Sequence, residues 1–471
     1  MKPLNVFNVR LGLATNSSSS HSIIFTEQRV RDSYDNLEGF GWDFFTLASQ
    51  QAKESYFQVA LYQTLRHTVG KDIARMVAQS FVMEPHHLTE SANYLFPYID
   101  HQSAPTIPSD WGGHGIDMEF AQDFYNFLMQ DNLVVLGGND NDGKVHPLAI
   151  NGAVTLPFAN WGSSAAWVAR KDHAHNYWTL FSRTSGAKLR FGFNEDMTAP
   201  ARASVPELVD IKITDYCDHN CPWCYQSSSV DGKHADYIHP ITKALGELKV
   251  FEVALGGGEP TLHPRFTSIL RDFQYCGVVP NFTTHKLAWL RDDSLRQEVL
   301  ASCGAFAYTP DNIEQARALC SLVDVHEINP RRVSIQLIAG FWEGPVFEKL
   351  LSLAHVHNIG VTLLGYKATG RGANYRYQPT RESLDEMWTV ILKLRAVYGA
   401  PRISIDTVLA EQLKDKLVET EIPHWLYHTS DGTFSYYIDA VSKKIGPSSY
   451  CPTYRLIDMS ADLTAQIARV F

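Results

Sequence analysis

From residue 208 to 406, short apolar runs alternate with longer stretches of helical periodicity. The runs Leu208–Ile213, Glu252–Leu255, Val279–Thr283, Ala305–Tyr308, Val333–Leu337 and Gly360–Leu364 predict strands. Between them, His263–Cys276, Asp292–Ser302, Asn312–Val323 and Val346–His357 space their apolar residues as helices do, with polar starts such as Pro310-Asp311-Asn312. Six strands alternating with helices predict a parallel sheet with right-handed crossovers. In such sheets, ligands sit beyond the carboxyl ends of the strands.

The first two hundred residues follow another pattern. Lys53–Thr68 carries Tyr56, Phe57, Ala60, Leu61 and Leu65 at helical spacing. Tyr177–Phe181 and Lys188–Phe193 read as a hairpin about Ser185-Gly186. An α+β domain of unassigned role is expected over 1–204, an α/β domain over 205–409 and a short extension over 410–471, with Thr198-Ala199-Pro200-Ala201 as the linker. The run Thr15-Asn16-Ser17-Ser18-Ser19-Ser20-His21-Ser22 reads as a polar loop, or as an anion-binding loop of hydroxyls and main-chain amides.

Length agrees with several domains, since 471 residues at about 150 per domain gives two or three. With 45% hydrophobic and 20% charged residues the chain can bury a sizeable core. A net charge of −10 argues against non-specific nucleic-acid binding, which needs a basic face. No apolar run approaches the ~18–20 residues of a membrane span, and the amino terminus lacks a secretory pattern. A cytoplasmic protein without membrane contact is therefore expected.

Seven cysteines in so long a chain do not make a disulfide framework. Cys276, Cys303 and Cys320 read as small buried apolar residues. The other chemistry is concentrated in Asp215-Tyr216-Cys217-Asp218-His219-Asn220-Cys221-Pro222-Trp223-Cys224-Tyr225, where three residues separate the first two cysteines and two separate the next pair. Soft thiolates on short local spacing suit an iron–sulfur cluster. Three thiolates hold three irons of a 4Fe–4S cube and leave the fourth open. A zinc site with His219 as fourth ligand competes, although zinc ligands commonly come as two pairs across a longer loop.

Some thirty residues on, Phe251-Glu252-Val253-Ala254-Leu255-Gly256-Gly257-Gly258-Glu259-Pro260 is a strand opening into a glycine turn where main chain can approach a ligand closely. With this pair of motifs the chain resembles the radical S-adenosylmethionine (radical SAM) superfamily. Gln336-Leu337-Ile338-Ala339-Gly340-Phe341-Trp342-Glu343 is similar to a third family motif, with Gln336 in place of its first glycine. The resemblance spans Pro206 to Ala410.

It implies a partial (β/α)6 barrel core, a 4Fe–4S cluster on Cys217, Cys221 and Cys224, and S-adenosyl-L-methionine on its open iron. Gly257, Gly258 and Glu259 would hold the methionyl amine, and Trp223 and Ile338 would flank adenine, with Tyr366 as a further adenine contact and Thr309 as a ribose or carboxylate contact. Reductive cleavage of the cofactor would give a 5′-deoxyadenosyl radical that takes hydrogen from a substrate carbon. A one-electron reductant such as flavodoxin or ferredoxin would be the partner.

The tail resembles a SPASM-type extension stripped of its cysteines. Serines stand in Lys443-Lys444-Ile445-Gly446-Pro447-Ser448-Ser449-Tyr450-Cys451, and Cys451 alone cannot hold a second cluster, so one cluster is expected. The flanking regions favour a peptide or protein substrate, with the amino-terminal domain and the tail as covers for the barrel mouth. Lys367 and Arg371, as anion-binding groups, would favour a small anionic metabolite or nucleotide. A non-catalytic iron–sulfur protein is the third alternative.

Overall fold

The computed structural model describes 200–471 apart from 237, 399–401, 421, 423–426 and 428, and before that 5–10, 21–25, 39–40, 45–66, 69–80, 89–91, 94–99, 116–129, 133–137, 154–158, 167–183, 186 and 188–192. The chain forms two compact units, 1–199 and 200–471.

In the first unit, the hairpin expected around Gly186 forms. Tyr177–Ser182 pairs antiparallel with Lys188–Gly192. Trp167–Asp172 and Asn5–Arg10 complete that sheet on either side. A second antiparallel sheet places His21–Phe25 between Leu133–Gly137 and Val154–Phe158. Its first residues, His21 and Ser22, are the only part of the serine-rich run inside the described residues. The expected helix spans Gln50–Leu65, where Ser49 caps it by accepting from the Ala52 amide at 3.2 Å. Lys53, Glu54 and Gln58 are buried along with its apolar positions. Around it lies an aromatic core that includes Phe40, Phe45, Phe120, Phe124 and Trp178.

The second unit is built on one ten-stranded sheet. In chain order its strands are β1 (Leu208–Thr214), β2 (Glu252–Gly257), β3 (Val279–Thr284), β4 (Phe306–Tyr308), β5 (Val333–Ile338), β6 (Gly360–Leu364), β7 (Ile403–Ile405), β8 (Ser435–Asp439), β9 (Lys444–Gly446) and β10 (Ile457–Asp458). Their spatial order is β7-β6-β5-β4-β3-β2-β1-β8-β9-β10. All pairs from β7 to β8 are parallel, and the last two are antiparallel.

The six expected strands are present in register. The seventh strand and the helices His239–Glu247 and Arg381–Tyr398 were not expected, being short or rich in charge. The tail does not stand apart from this sheet: its first strand extends the parallel run, pairing Leu208 with Ser435 and Lys212 with Asp439.

Alternation along the strands explains where a site can form. Val209, Ile211 and Ile213 are buried, whereas Asp210 and Lys212 are half-buried. On β5, Val333, Ile335 and Leu337 are buried, while Ser334, Gln336 and Ile338 are half-buried. Parallel strands covered on both faces read as continuous apolar runs. Here one face carries the apolar residues, as where Phe266 of the helix Phe266–Tyr275 meets Phe282 of β3 at 5.0 Å between ring centroids. The other face carries Asp210, Lys212, Ser334 and Gln336 among its half-buried side chains.

Candidate functional site

The cysteine loop leaves the carboxyl end of β1 and folds back on itself. The Asp215 amide donates to Lys233 O at 2.7 Å and the Cys217 amide to Ser229 O at 2.9 Å. Asn220 and Ser227 take left-handed conformations, φ +52° and +57°, which turn the chain around the thiols. The glycine turn at the end of β2 is tied to this loop through the main chain. The Gly258 amide donates to Thr214 O at 2.6 Å and the Glu259 amide to Tyr216 O at 2.8 Å. A Cβ on Gly258 would lie 2.0 Å from Tyr216 O, and one on Gly257, at φ +113°, 2.3 Å from Thr214 O. Nothing stands within 4 Å of a Cβ position on Gly256, so this side of the turn is open.

Glu259 is 2% exposed and its carboxylate is fully engaged. Oε1 accepts from the Thr261 amide at 3.2 Å, Thr261 Oγ1 at 2.6 Å and Thr284 Oγ1 at 2.7 Å, and Oε2 from the His285 amide at 2.9 Å. It therefore ties the ends of β2 and β3 together, and the turn offers a ligand main-chain atoms. Thr309 follows β4, and its amide donates to Thr284 O at 3.0 Å. It is not the cap of the next helix. Asn312 caps Ile313–Val325, accepting from the Gln315 amide.

The thiols sit in different surroundings. Burial raises the Cys217 thiol pKa, opposed by main-chain hydrogen bonds from His219 and Asn220. Burial, followed by the neighbouring thiols, pushes Cys221 up to about 12. The amides directed at Cys217 sulfur are a feature that favours a bound thiolate.

The far half of the loop is held by the segment after β6. Arg371 Nε donates to Cys221 O at 2.9 Å and its amide to Cys224 O at 3.0 Å. Thr369 Oγ1 donates to Tyr225 O at 3.2 Å. Lys367 is ion-paired with Asp406 at 3.5 Å and stands over the rings of Tyr225 and Tyr450 at 5.0 and 5.1 Å. The two cations that read as anion-binding groups are thus engaged by the chain itself: the cysteine loop presents Arg371 with carbonyls, and Asp406 with the rings of Tyr225 and Tyr450 surrounds Lys367.

Trp223 meets Phe341 edge to face at 5.5 Å and Tyr375 at 5.5 Å, and Phe341 lies 5.7 Å from Tyr366. Tyr366 OH donates to Gly372 O at 2.5 Å. Trp223 and Tyr366, separated by most of the sheet in sequence, thus share one aromatic group. Ile338 ends β5 and joins it through the main chain, its carbonyl accepting from the Phe341 amide at 3.3 Å. Phe341 and Tyr375 were missed as site residues. The aromatic content after β5 and β6 was the available signal. The structure also adds His285, which stacks on His219 with centroids 4.3 Å apart. Burial lowers its pKa to about 4, so it is neutral at physiological pH.

Cys451 is half-buried beside the position a Gly446 side chain would take. Cys303 and Cys320 are buried and Cys276 is half-buried. Among the described residues no helix is long and apolar enough to cross a membrane.

No family model and no curated protein matches the chain. Among solved structures it is similar to Streptococcus suis SuiB bound to S-adenosylmethionine, with 13% identity and a TM-score of 0.41 over 53% of this chain and 61% of that one. SuiB bound to precursor peptide SuiA matches with 14% identity and a TM-score of 0.41 over 57% of this chain and 68% of that one. Another SuiB structure reaches a TM-score of 0.44 at 12% identity, over 60% of this chain and 82% of that one. These neighbours are radical SAM enzymes, the superfamily that the chain's motifs resemble. Overlap at these scores carries no argument about this chain's chemistry, which is read from its own residues.

Proposed function

We propose that the protein is a radical SAM enzyme, with a partial (β/α)6 barrel formed by β1 to β6 and their helices. The observation that carries this reading is the main-chain tie between the cysteine loop and the glycine turn, Gly258 amide to Thr214 O and Glu259 amide to Tyr216 O. It sets three thiols beside an open stretch of main chain, and a mere cluster holder needs no such neighbour.

Cys217, Cys221 and Cys224 would ligate a 4Fe–4S cluster. When bound, that cluster with S-adenosyl-L-methionine supplies one-electron reductive cleavage of the cofactor and hydrogen-atom abstraction from a substrate. The amides of His219 and Asn220 stabilise thiolate at Cys217. Carbonyls of the Gly256–Gly258 turn would hold the methionyl ammonium of the cofactor, and Glu259 ties that turn to β3. Trp223, Phe341, Tyr366 and Tyr375 offer apolar faces to adenine and keep water from the reacting atoms. Thr309 stands at the next strand end as a ribose or carboxylate contact. A flavodoxin- or ferredoxin-like reductant supplies the electron.

The substrate favoured is a peptide or protein. Lys367 and Arg371 are spent on internal contacts, which removes the particular support for a small anionic substrate. The strand Ile403–Ile405 ends the parallel run at a sheet edge, where an extended peptide can add.

Anaerobic reconstitution tests the reading. The parent chain is expected to take up four irons and sulfides on the three cysteines and release 5′-deoxyadenosine on reduction. Cys221→Ala should lose both visible absorption and cofactor cleavage; retention of both removes the ligand assignment. Label transferred from deuterated peptides into 5′-deoxyadenosine, and not from metabolites, would identify the substrate class.

A further inference from the structure

Gln336 has no part in that chemistry. It stands on β5 where the resembled motif has glycine, between Ser334 and Ile338 on the same half-buried face. Its polar neighbours satisfy one another. Ser334 Oγ lies 2.8 Å from Thr362 Oγ1, which lies 3.0 Å from Ser404 Oγ, so hydroxyls bond in a row across β5, β6 and β7. Gln336 is paired in register with Thr362 and takes no part in this row. Its Oε1 is buried and accepts from no described residue, and its Nε2 donates to none. Buried polar atoms are nearly always bonded, so an exception asks for a partner from outside the chain.

The place of this amide narrows the partner. Ile338, the next residue on that face, ends β5, and its carbonyl accepts from the Phe341 amide at 3.3 Å. Two residues of strand span about 6.6 Å, which a glutamine side chain and a base together can bridge. The rings of Trp223, Phe341, Tyr366 and Tyr375 offer faces to such a base, and the Tyr366 hydroxyl is spent on Gly372 O. Stacking holds any base, since each has a π-face. Telling one base from another takes hydrogen bonds at the ring edge. An unpaired amide carries an acceptor and a donor side by side, and adenine shows the complement in its N6 amino group and N7.

We propose that Gln336 selects adenine, its Oε1 accepting from the N6 amino group and its Nε2 donating to N7. The inference rests on the cofactor reading above, because it needs the adenosyl group beside Ile338. A substrate amide would present the same pair of atoms; the probes below carry no amide and address the base alone.

The test is equilibrium dialysis of the full chain, reconstituted anaerobically, against S-adenosylmethionine and its analogues with hypoxanthine and with 7-deazaadenine. Hypoxanthine has an acceptor in place of the amino group, and 7-deazaadenine lacks N7. The parent should bind the adenine form about tenfold more tightly than the hypoxanthine form and about fivefold more tightly than the 7-deaza form. Gln336→Leu should weaken the adenine form and bring all three within about twofold. Gln336→Glu keeps the acceptor and loses the donor. Its preference over hypoxanthine should persist, whereas that over 7-deazaadenine should vanish or reverse, because a carboxylate then faces N7. This variant carries the test if Gln336→Leu does not fold. Without ligand, Gln336→Leu should melt no lower than the parent, since no hydrogen bond is lost. A merely structural amide gives the opposite pattern, a lower melting temperature with unchanged binding ratios, and overturns the proposal. A parent that binds all three forms alike overturns it too, as does a natively folded Gln336→Leu with parental ratios. A parent that assembles its cluster yet binds no S-adenosylmethionine removes the proposed function, and this inference with it.

Discussion

The two halves of the cysteine loop are secured by different means. The half near Cys217 is held by main chain on main chain: Gly258 to Thr214, Glu259 to Tyr216, Cys217 to Ser229. The half carrying Cys221 and Cys224 is held largely by side chains of one distant segment, through Arg371 and Thr369, with Lys367 against Tyr225. Backbone ties tolerate many side chains but demand glycine where two chains nearly touch. Side-chain ties demand a particular residue and can be lost singly. Such a loop has one rigid wall and one adjustable wall.

The largest effect should come from the rigid wall. Gly258→Ala drives a Cβ to within 2.0 Å of Tyr216 O. The expected cost is about 3 kcal/mol or more, read as a lowered denaturation midpoint together with loss of bound iron. A variant that melts like the parent would show that the wall can yield. Arg371→Ala should cost less, about 1.5–3 kcal/mol for a charged hydrogen bond to a carbonyl, since the Arg371 amide still reaches Cys224 O. Iron retention during gel filtration should fall, and Arg371→Lys should restore little, because an ammonium lacks the planar fork. If both wall variants lost iron equally, the distinction between them would fail.

Beneath the adjustable wall, burial raises the Asp210 carboxyl pKa from 3.8 to about 6, with Lys367 opposing the shift. A raised folded-state value means that its contribution is fully present below about 4 and is lost as pH rises through about 6. Asp210→Asn should therefore raise the melting temperature relative to the parent at pH 8, by the equivalent of about 1–3 kcal/mol, with the gain vanishing near pH 4. A constant difference across that range would put the charge elsewhere. The smallest effect is expected at Cys451→Ala, half-buried in the tail: iron and sulfide per chain should match the parent, and a drop by half would reveal a second cluster.

Much of this site was legible beforehand, because its chemistry depends on local order. Cysteine spacing and the run Gly256–Pro260 are read off neighbouring residues, and the strand–helix alternation places both at strand ends. What was not legible depends on approach across the sheet. Arg371 reads as a free cation until the fold brings it to the Cys221 carbonyl. Phe341 and Tyr375 read as ordinary apolar residues until they meet Trp223. Thr309 stands shortly before a helix, and only the fold shows that Asn312 is the residue that caps it.

By itself, the order of residues determined which atoms can bind metal, where the chain must turn tightly, and that the strands run parallel. These follow from side-chain chemistry and from periodicities set by backbone geometry. The tertiary structure alone decided that the tail pairs with β1 and sets Asp439 3.0 Å from Lys212, that Lys367 meets Asp406 and Arg371 meets the Cys221 carbonyl, and that His285 comes to lie against His219. Contacts between distant segments arise from crossovers whose closure depends on the whole sheet, and no local pattern encodes them.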